Sequence, residues 1–198
     1  MTNAPERATA PSVNRLFVDR WSPRAFAPDT LDAQTLLGFL EAGRWAPSAY
    51  NSQPWRFFYA LRGTPAWSSF LSWLIPFNQS WAGNAAALVF VASRNTMVPP
   101  EATDPVDAPT HAYDTGAAAV QVMLQATHEG WAAHAMSGID AAAAHAGLKL
   151  GADVTVLTAI AIGKQGDKGT LPEYLQGREA PSDRLPLEQV AFEGGAPA

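Results

Sequence analysis

A chain of 198 residues with 47% hydrophobic content is long enough to bury a substantial core in one domain, although length alone also admits two short ones. Its 13 basic and 18 acidic residues leave a formal charge of −5, which argues against nucleic acid or an anionic membrane as the main partner. There is no cysteine, so disulfides, thiolate metal sites and cysteine nucleophiles are excluded together.

MTNAPERATAPSV has no apolar h-region, and runs such as AAALVFVA are far too short to span a membrane, so a soluble, cytoplasmic protein is expected. Residues 1–13, rich in Ala, Pro and Thr, read as a mobile arm and 14–198 as a single domain. Asp32 is placed to cap a helix running to about Arg44, with Leu36, Leu37, Phe39 and Leu40 as its apolar stripe. RFFYA from Arg56 and ALVFVAS from Ala87 read as strands, and a helix carrying Trp67, Phe70, Leu71 and Leu74 is expected between Pro65 and Trp81. Four prolines and three acids crowd the stretch from Arg94 to Asp114, which reads as a lid or binding loop, with disorder as the alternative. Thr115 to Glu129 predicts a long helix, apolar on nearly all sides and hence buried in a core or a subunit interface. AAAAHAGLKLGADV predicts a short helix and a turn, VTVLTAIAIG is the strongest strand, and the remainder is an irregular tail. Helices and strands mix without βαβ repetition, which gives an α+β class and no internal repeat.

Two clusters carry the chemistry. In WAPSAYNSQPW, from Trp45 to Trp55, two prolines remove backbone donors and fix dihedrals, while Ser48, Asn51, Ser52 and Gln53 supply short-range donors and acceptors. That composition suits a rigid loop gripping a planar polar ligand. In RWSPRAF, Arg20, Ser22 and Arg24 alternate, so an extended backbone would point two guanidiniums and a hydroxyl the same way, as an anion site requires. The four histidines have no metal-ligand spacing, GxSxG is absent, and GKQGDKG lacks the dinucleotide fingerprint and reads as a turn.

Both clusters resemble, in order and spacing, motifs of the nitroreductase family of FMN-dependent oxidoreductases. NQSWAGNAAALVFVA from Asn78, TGAAAVQVMLQATHEGW from Thr115, HAMSGID from His134, TAIAIGKQGD from Thr158 and APSDRLPLEQV from Ala180 extend the resemblance over nearly the whole chain. It implies a nitroreductase-like fold, a mainly antiparallel central sheet flanked by helices, in a domain-intertwined homodimer. It also implies FMN as cofactor and NAD(P)H as co-substrate. A small-molecule electron acceptor such as a nitroaromatic or quinone would then take the electrons in a ping-pong cycle. By the same resemblance Arg20, Trp21 and Ser22 open the phosphate motif, joined by Arg184 as the basic residue near the C-terminus. Relatives often carry a second basic residue where this chain has Ser182. Arg24 corresponds to the cation beside flavin N1 and O2, and Asn78 to the amide at the pyrimidine edge. Pro47, Ser48, Ala49 and Asn51 match the loop reaching over the ring from the other subunit, and Ser137 and Gly138 the backbone near N5. No side chain is assigned a catalytic role, since the flavin carries the chemistry. The alternatives are a flavin reductase of another, specialised substrate, or a flavin-binding sensor or storage protein.

Overall fold

The computed structural model describes residues 7, 9 and 12–195. Most of the expected mobile arm therefore lies outside the described residues. Asn14 accepts a hydrogen bond from the Leu16 amide and starts the short helix α1 (Arg15–Asp19). Asp32 does the same for α2 (Ala33–Arg44), its carboxylate accepting from the Thr35 N–H at 2.9 Å and the Thr35 hydroxyl at 2.7 Å. Leu36, Phe39, Leu40 and Gly43 form the buried face of α2, at the spacing one helical stripe requires. Leu37, expected in that stripe, points outward because it lies a further 100° round the helix.

Strand β1 (Trp55–Leu61) leads to two short helices, α3 (Trp67–Ser72) and α4 (Pro76–Ala82), where a single helix was expected. Pro76 explains the division. It lacks an N–H and cannot continue a helix from Ile75, but it is well suited to the first position of a new one. The break is used: Ile75 N–H donates to the Gly138 carbonyl at 3.1 Å. Next come β2 (Ala87–Arg94), β3 (Thr96–Met97), β4 (Val106–Asp107) and α5 (His111–His128). The acidic, proline-rich stretch is thus an antiparallel ribbon, pairing Thr96 with Asp107 and Met97 with Val106. Helix α5 starts at His111 rather than Thr115, so Asp114 falls in its first turn, where a carboxylate faces the positive helix end. The chain continues through β5 (Ala132–Met136), α6 (Ala141–Gly147), β6 (Val154–Gly163) and α7 (Glu173–Gln176).

The central sheet has the order β1-β2-β6-β5, with every neighbouring pair antiparallel. It is covered on both faces. In β2, Leu88, Phe90 and Ala92 turn towards a cluster containing Phe70, Leu74 and Trp81 of the α3–α4 region. Ala87, Val89 and Val91 turn the other way, onto Leu36 and Phe39 of α2 and Val122 of α5. Double burial explains why β2 reads as an unbroken apolar run. Each such Phe or Leu contributes roughly 1.5–3 kcal/mol by leaving water. Helices α2 and α5 cross closely at Gly43, where a Cβ would come within 2.6 Å of a Val122 methyl and 3.0 Å of the Ala118 carbonyl. The opposite face of α5 is open, with Tyr113 82% exposed and Gly116 and Val120 beside it at helical spacing. Among the described residues no helix is long and apolar enough to cross a membrane.

Candidate functional site

The RWSPRAF segment runs extended past the end of β6. Phe26 forms a bridge with Gln165, Ala27 N–H donates to Lys164 O at 2.9 Å, and Gly166 N–H donates to Ala25 O at 2.8 Å. Gly166 is required there, because a Cβ would sit 2.7 Å from the Phe26 carbonyl carbon. The Arg24 and Ala25 amides both donate to Glu179 Oε1 at 2.8 Å, and His134 Nδ1 bonds the Pro23 carbonyl at 3.0 Å. Held in this way, the segment presents Arg20, Trp21, Ser22 and Arg24 to a cavity of about 390 Å³. Arg184 and Ser182 come to the same cavity from the C-terminal tail, together with Arg7, Arg178 and His134. Among the described residues the lining contains five arginines and no aspartate or glutamate.

Concentrated cations leave a mark on one another. Burial lowers the pKa of Arg20, and Arg184 and Arg7 lower it further. Arg7 is lowered by burial and then by Arg184. For Arg24 the causes are burial and Arg178, opposed by Glu179. All remain charged at neutral pH; the shifts come mainly from burial, and in smaller part from repulsion that an anion in the cavity would relieve. His134 is drawn down to about 4, chiefly by burial with Arg24 and Arg20 adding, while its bond to Pro23 opposes. A neutral imidazole therefore stands among the guanidiniums, tilted by 40° against Trp81 with centroids 4.6 Å apart. The Arg24 guanidinium lies 5.9 Å from the centroid of the same indole, within cation–π range. The Nε of Arg24 is buried with no hydrogen-bond partner among the described residues.

Asn78 and Gly138, expected to serve one ring, are brought together: Asn78 Nδ2 donates to the Gly138 carbonyl at 2.9 Å. A Cβ on Gly138 would clash with that nitrogen and with Ile75 at 2.6 Å each, so close approach of the backbone requires glycine. Asn78 shares α4 with Trp81, which ties this pair to Arg24 and His134. Ser137 is exposed beside it.

Pro47, Ser48, Ala49 and Asn51 lie elsewhere. Their loop enters β1, one edge of the sheet, whereas His134 sits on β5, the other edge. The loop backbone is unusual. Tyr50, Asn51 and Gln53 adopt φ of 52°, 53° and 47°, a left-handed conformation that costs roughly 1–2 kcal/mol for a residue with a Cβ. It is held by the buried Asp114 carboxylate, which accepts from the Ala49 N–H and the Thr110 hydroxyl at 3.1 Å each. Ser48 Oγ accepts from the Gln53 N–H at 3.0 Å.

Arg178, His134, Asp114 and Glu179 were missed as parts of these sites. Arg178 precedes the APSDR motif by only two residues, and attention to tail arginines would have found it. Arg7 is one of four arginines in the first 24 residues, a local basicity that admits a small anion site, whereas Asp114 has no local signal. Among the described residues no three His, Asp or Glu side chains are grouped to hold a metal ion.

A family model described as "Nitroreductase family" matches residues 18–64 and 74–164. A crystal structure of an oxidoreductase containing FMN is 42% identical, covers 98% of each chain and superposes with a TM-score of 0.92. A putative nitroreductase in complex with FMN from Desulfovibrio desulfuricans is 23% identical, with 96% of this chain and 100% of that one covered and a TM-score of 0.73. An FMN and NADPH-dependent nitroreductase from a sphigopyxis strain is 21% identical over 92% of this chain and 98% of its own, with a TM-score of 0.69. An uncharacterized 15.4 kDa protein of Mycolicibacterium smegmatis is 36% identical over 126 residues, 63% of this chain and 80% of its own.

Proposed function

The chain belongs to the nitroreductase family, and from that premise we propose that it is a cytoplasmic FMN-dependent oxidoreductase, active as a homodimer, in which NAD(P)H and an electron-poor acceptor use one pocket in turn. The observation that carries this reading is the cavity lined, among the described residues, by five arginines and no acid. A phosphate monoester brings a charge of roughly −1.5 to −2 near neutral pH, which offsets the repulsion already present among Arg7, Arg20 and Arg184. FMN therefore fits the residues present. Once bound, it supplies the acceptance and delivery of hydride that a redox reaction between two separate substrates needs.

The protein's own groups bind and orient. Arg20, Ser22 and Arg184 hold the phosphate, with Trp21 between the first two. Arg24, buried against Trp81 with an unpaired Nε, is suited to negative charge that develops at a ring edge during reduction. Asn78 and Gly138 form a rigid backbone-and-amide edge, with Ser137 beside it. Because His134 stays neutral, it adds no sixth positive charge beside the ring.

The dimer is supported by what one chain leaves unfinished. The strained loop carrying Pro47, Ser48, Ala49 and Asn51 lies at the sheet edge opposite the cavity, so a second chain is the simple way to bring such a loop to the ligand. The open face of α5 and the exposed Leu185, Leu187, Val190 and Phe192 of the tail offer it an apolar seat. The β3–β4 ribbon, with an exposed tip, is the proposed substrate gate.

Anaerobic stopped-flow absorbance tests the assignment. NADH or NADPH should bleach the bound flavin, and a nitroaromatic or quinone should restore its colour in a separate second step. A flavin that neither nicotinamide reduces at millimolar concentration would leave a carrier or sensor role instead.

A further inference from the structure

Arg7 lies outside every sequence motif, yet it reaches the cavity. One nitrogen, Nη1, donates to the Val18 carbonyl at 2.8 Å and to the Arg20 carbonyl at 3.0 Å, groups that the last turn of α1 leaves open. Those two bonds fix the plane of the guanidinium and use only one of its nitrogens. Its Nε is buried and has no hydrogen-bond partner among the described residues. The same side chain lines the cavity beside Arg20, Ser22, Ser182 and Arg184.

Capping α1 does not account for this position. A side chain needed only to satisfy two carbonyls would gain nothing from burying an N–H without an acceptor, and Asp183 and Asp19 do not fully offset the burial and the repulsion by Arg184 that it meets there. Both unfavourable features are removed together by an anion with several acceptor oxygens at this end of the cavity. A phosphate monoester has three such oxygens and can take donors from three directions at once. The surroundings of Arg24 are different in kind, since it lies over Trp81, which in turn packs on His134.

We infer that Arg7 is a phosphate-binding residue, completing with Arg20 and Arg184 a three-guanidinium cradle for the terminal phosphate of FMN; the inference rests on the FMN reading above. Arg7, ahead of α1 in the chain, then becomes part of the cofactor site. Arg7 acts on the phosphate alone and leaves the ring to Arg24.

Riboflavin, which has the ring but no phosphate, separates the possibilities. Apoprotein is titrated with FMN and with riboflavin by flavin fluorescence, using the unsubstituted chain, Arg7→Gln and Arg7→Lys. Loss of one charge-assisted contact should weaken FMN binding on the order of ten- to a hundredfold in Arg7→Gln. Riboflavin binding should not change, and Arg7→Lys, which keeps the charge, should fall between. If Arg7→Gln weakens FMN and riboflavin equally, Arg7 only props up the RWSPRAF backbone and the inference is overturned. Unchanged FMN affinity overturns it as well. If the unsubstituted chain binds neither flavin, the FMN reading itself fails and the cradle fails with it.

Discussion

The arginine cavity and the Trp45–Trp55 loop are built on opposite principles. The cavity gathers mobile, charged side chains from distant parts of the chain and holds them over a backbone pinned by Glu179, His134 and β6. The loop keeps its functional groups local and stores its specificity in the backbone, with three non-glycine residues at positive φ tied to α5 by one carboxylate. Charge can be collected within one chain. The loop and that charge stand at opposite edges of the sheet, so under the proposed dimer the cover comes from the second chain. The loop rims are also bare, with Trp45 72% exposed and Tyr50 68% exposed.

The largest expected effect breaks the relation between the two regions altogether. Val120→Asp places a charge on the open face of α5. If that face is an interface, the buried, uncompensated carboxylate should weaken association by about 3–5 kcal/mol. Sedimentation at micromolar concentration should then show monomers that lose FMN, although their cavity residues are intact. A dimer that retains flavin would mean that this face of α5 is not the interface.

His134 tests the cavity by itself. Its pKa falls from 6.5 when unfolded to about 4 when folded, so folding excludes a proton that the unfolded chain would bind. The stability this neutral state contributes is fully present above pH 6.5 and is lost progressively as the pH falls towards 4. The loss reaches about 3 kcal/mol at 1.36 kcal/mol per unit. Urea midpoints at pH 7.5 and pH 5 should therefore fall more in the unsubstituted protein than in His134→Gln. Parallel curves would show that the histidine is not held neutral.

A smaller effect divides the labour inside the cavity. Arg184→Ala should weaken FMN binding by about 1.5–3 kcal/mol and leave the flavin potential nearly unchanged. Arg24→Ala should do the reverse, lowering the potential because the reduced ring loses its neighbouring cation. Equilibrium titration and redox titration of both variants check this, and indistinguishable profiles would merge the two ends of the site into one.

The smallest change addresses the loop. Asp114→Ala removes the acceptor of the Ala49 and Thr110 donors and should cost roughly 1–3 kcal/mol of stability. The strained turn should become a preferred site of limited proteolysis while riboflavin and phosphate contacts in the cavity survive. Cleavage unchanged from the parent protein would show that the turn is held by its prolines and by Ser48 alone.

The α+β class, the capped helix ending at Arg44 and the strand from Val154 to Gly163 were legible in the sequence, and the physical reason is locality. Asp32 finds its partner three residues on, and a β-branched run prefers the extended state wherever it occurs. The alternation of Arg20, Ser22 and Arg24 was legible for the same reason, because an extended backbone alone puts them on one side. Tertiary structure decided the rest. The alanine-rich segment from Ala132 to Met136 carries no alternation to mark it, and becomes a strand because Ala159 to Gly163 offer it an antiparallel edge. The break at Pro76 was not read from the sequence, and its use could not be, since the Gly138 carbonyl that takes the Ile75 N–H is far along the chain. Asp114 could not be matched to Ala49, which lies 65 residues away, without the packing of the loop on α5. That Arg7 and Arg178 line one cavity with Arg20 was decided by the fold, although each lies near a basic motif. A local pattern records only what neighbouring residues do to one another, whereas repulsion among like charges is tolerated only where the rest of the fold holds them together.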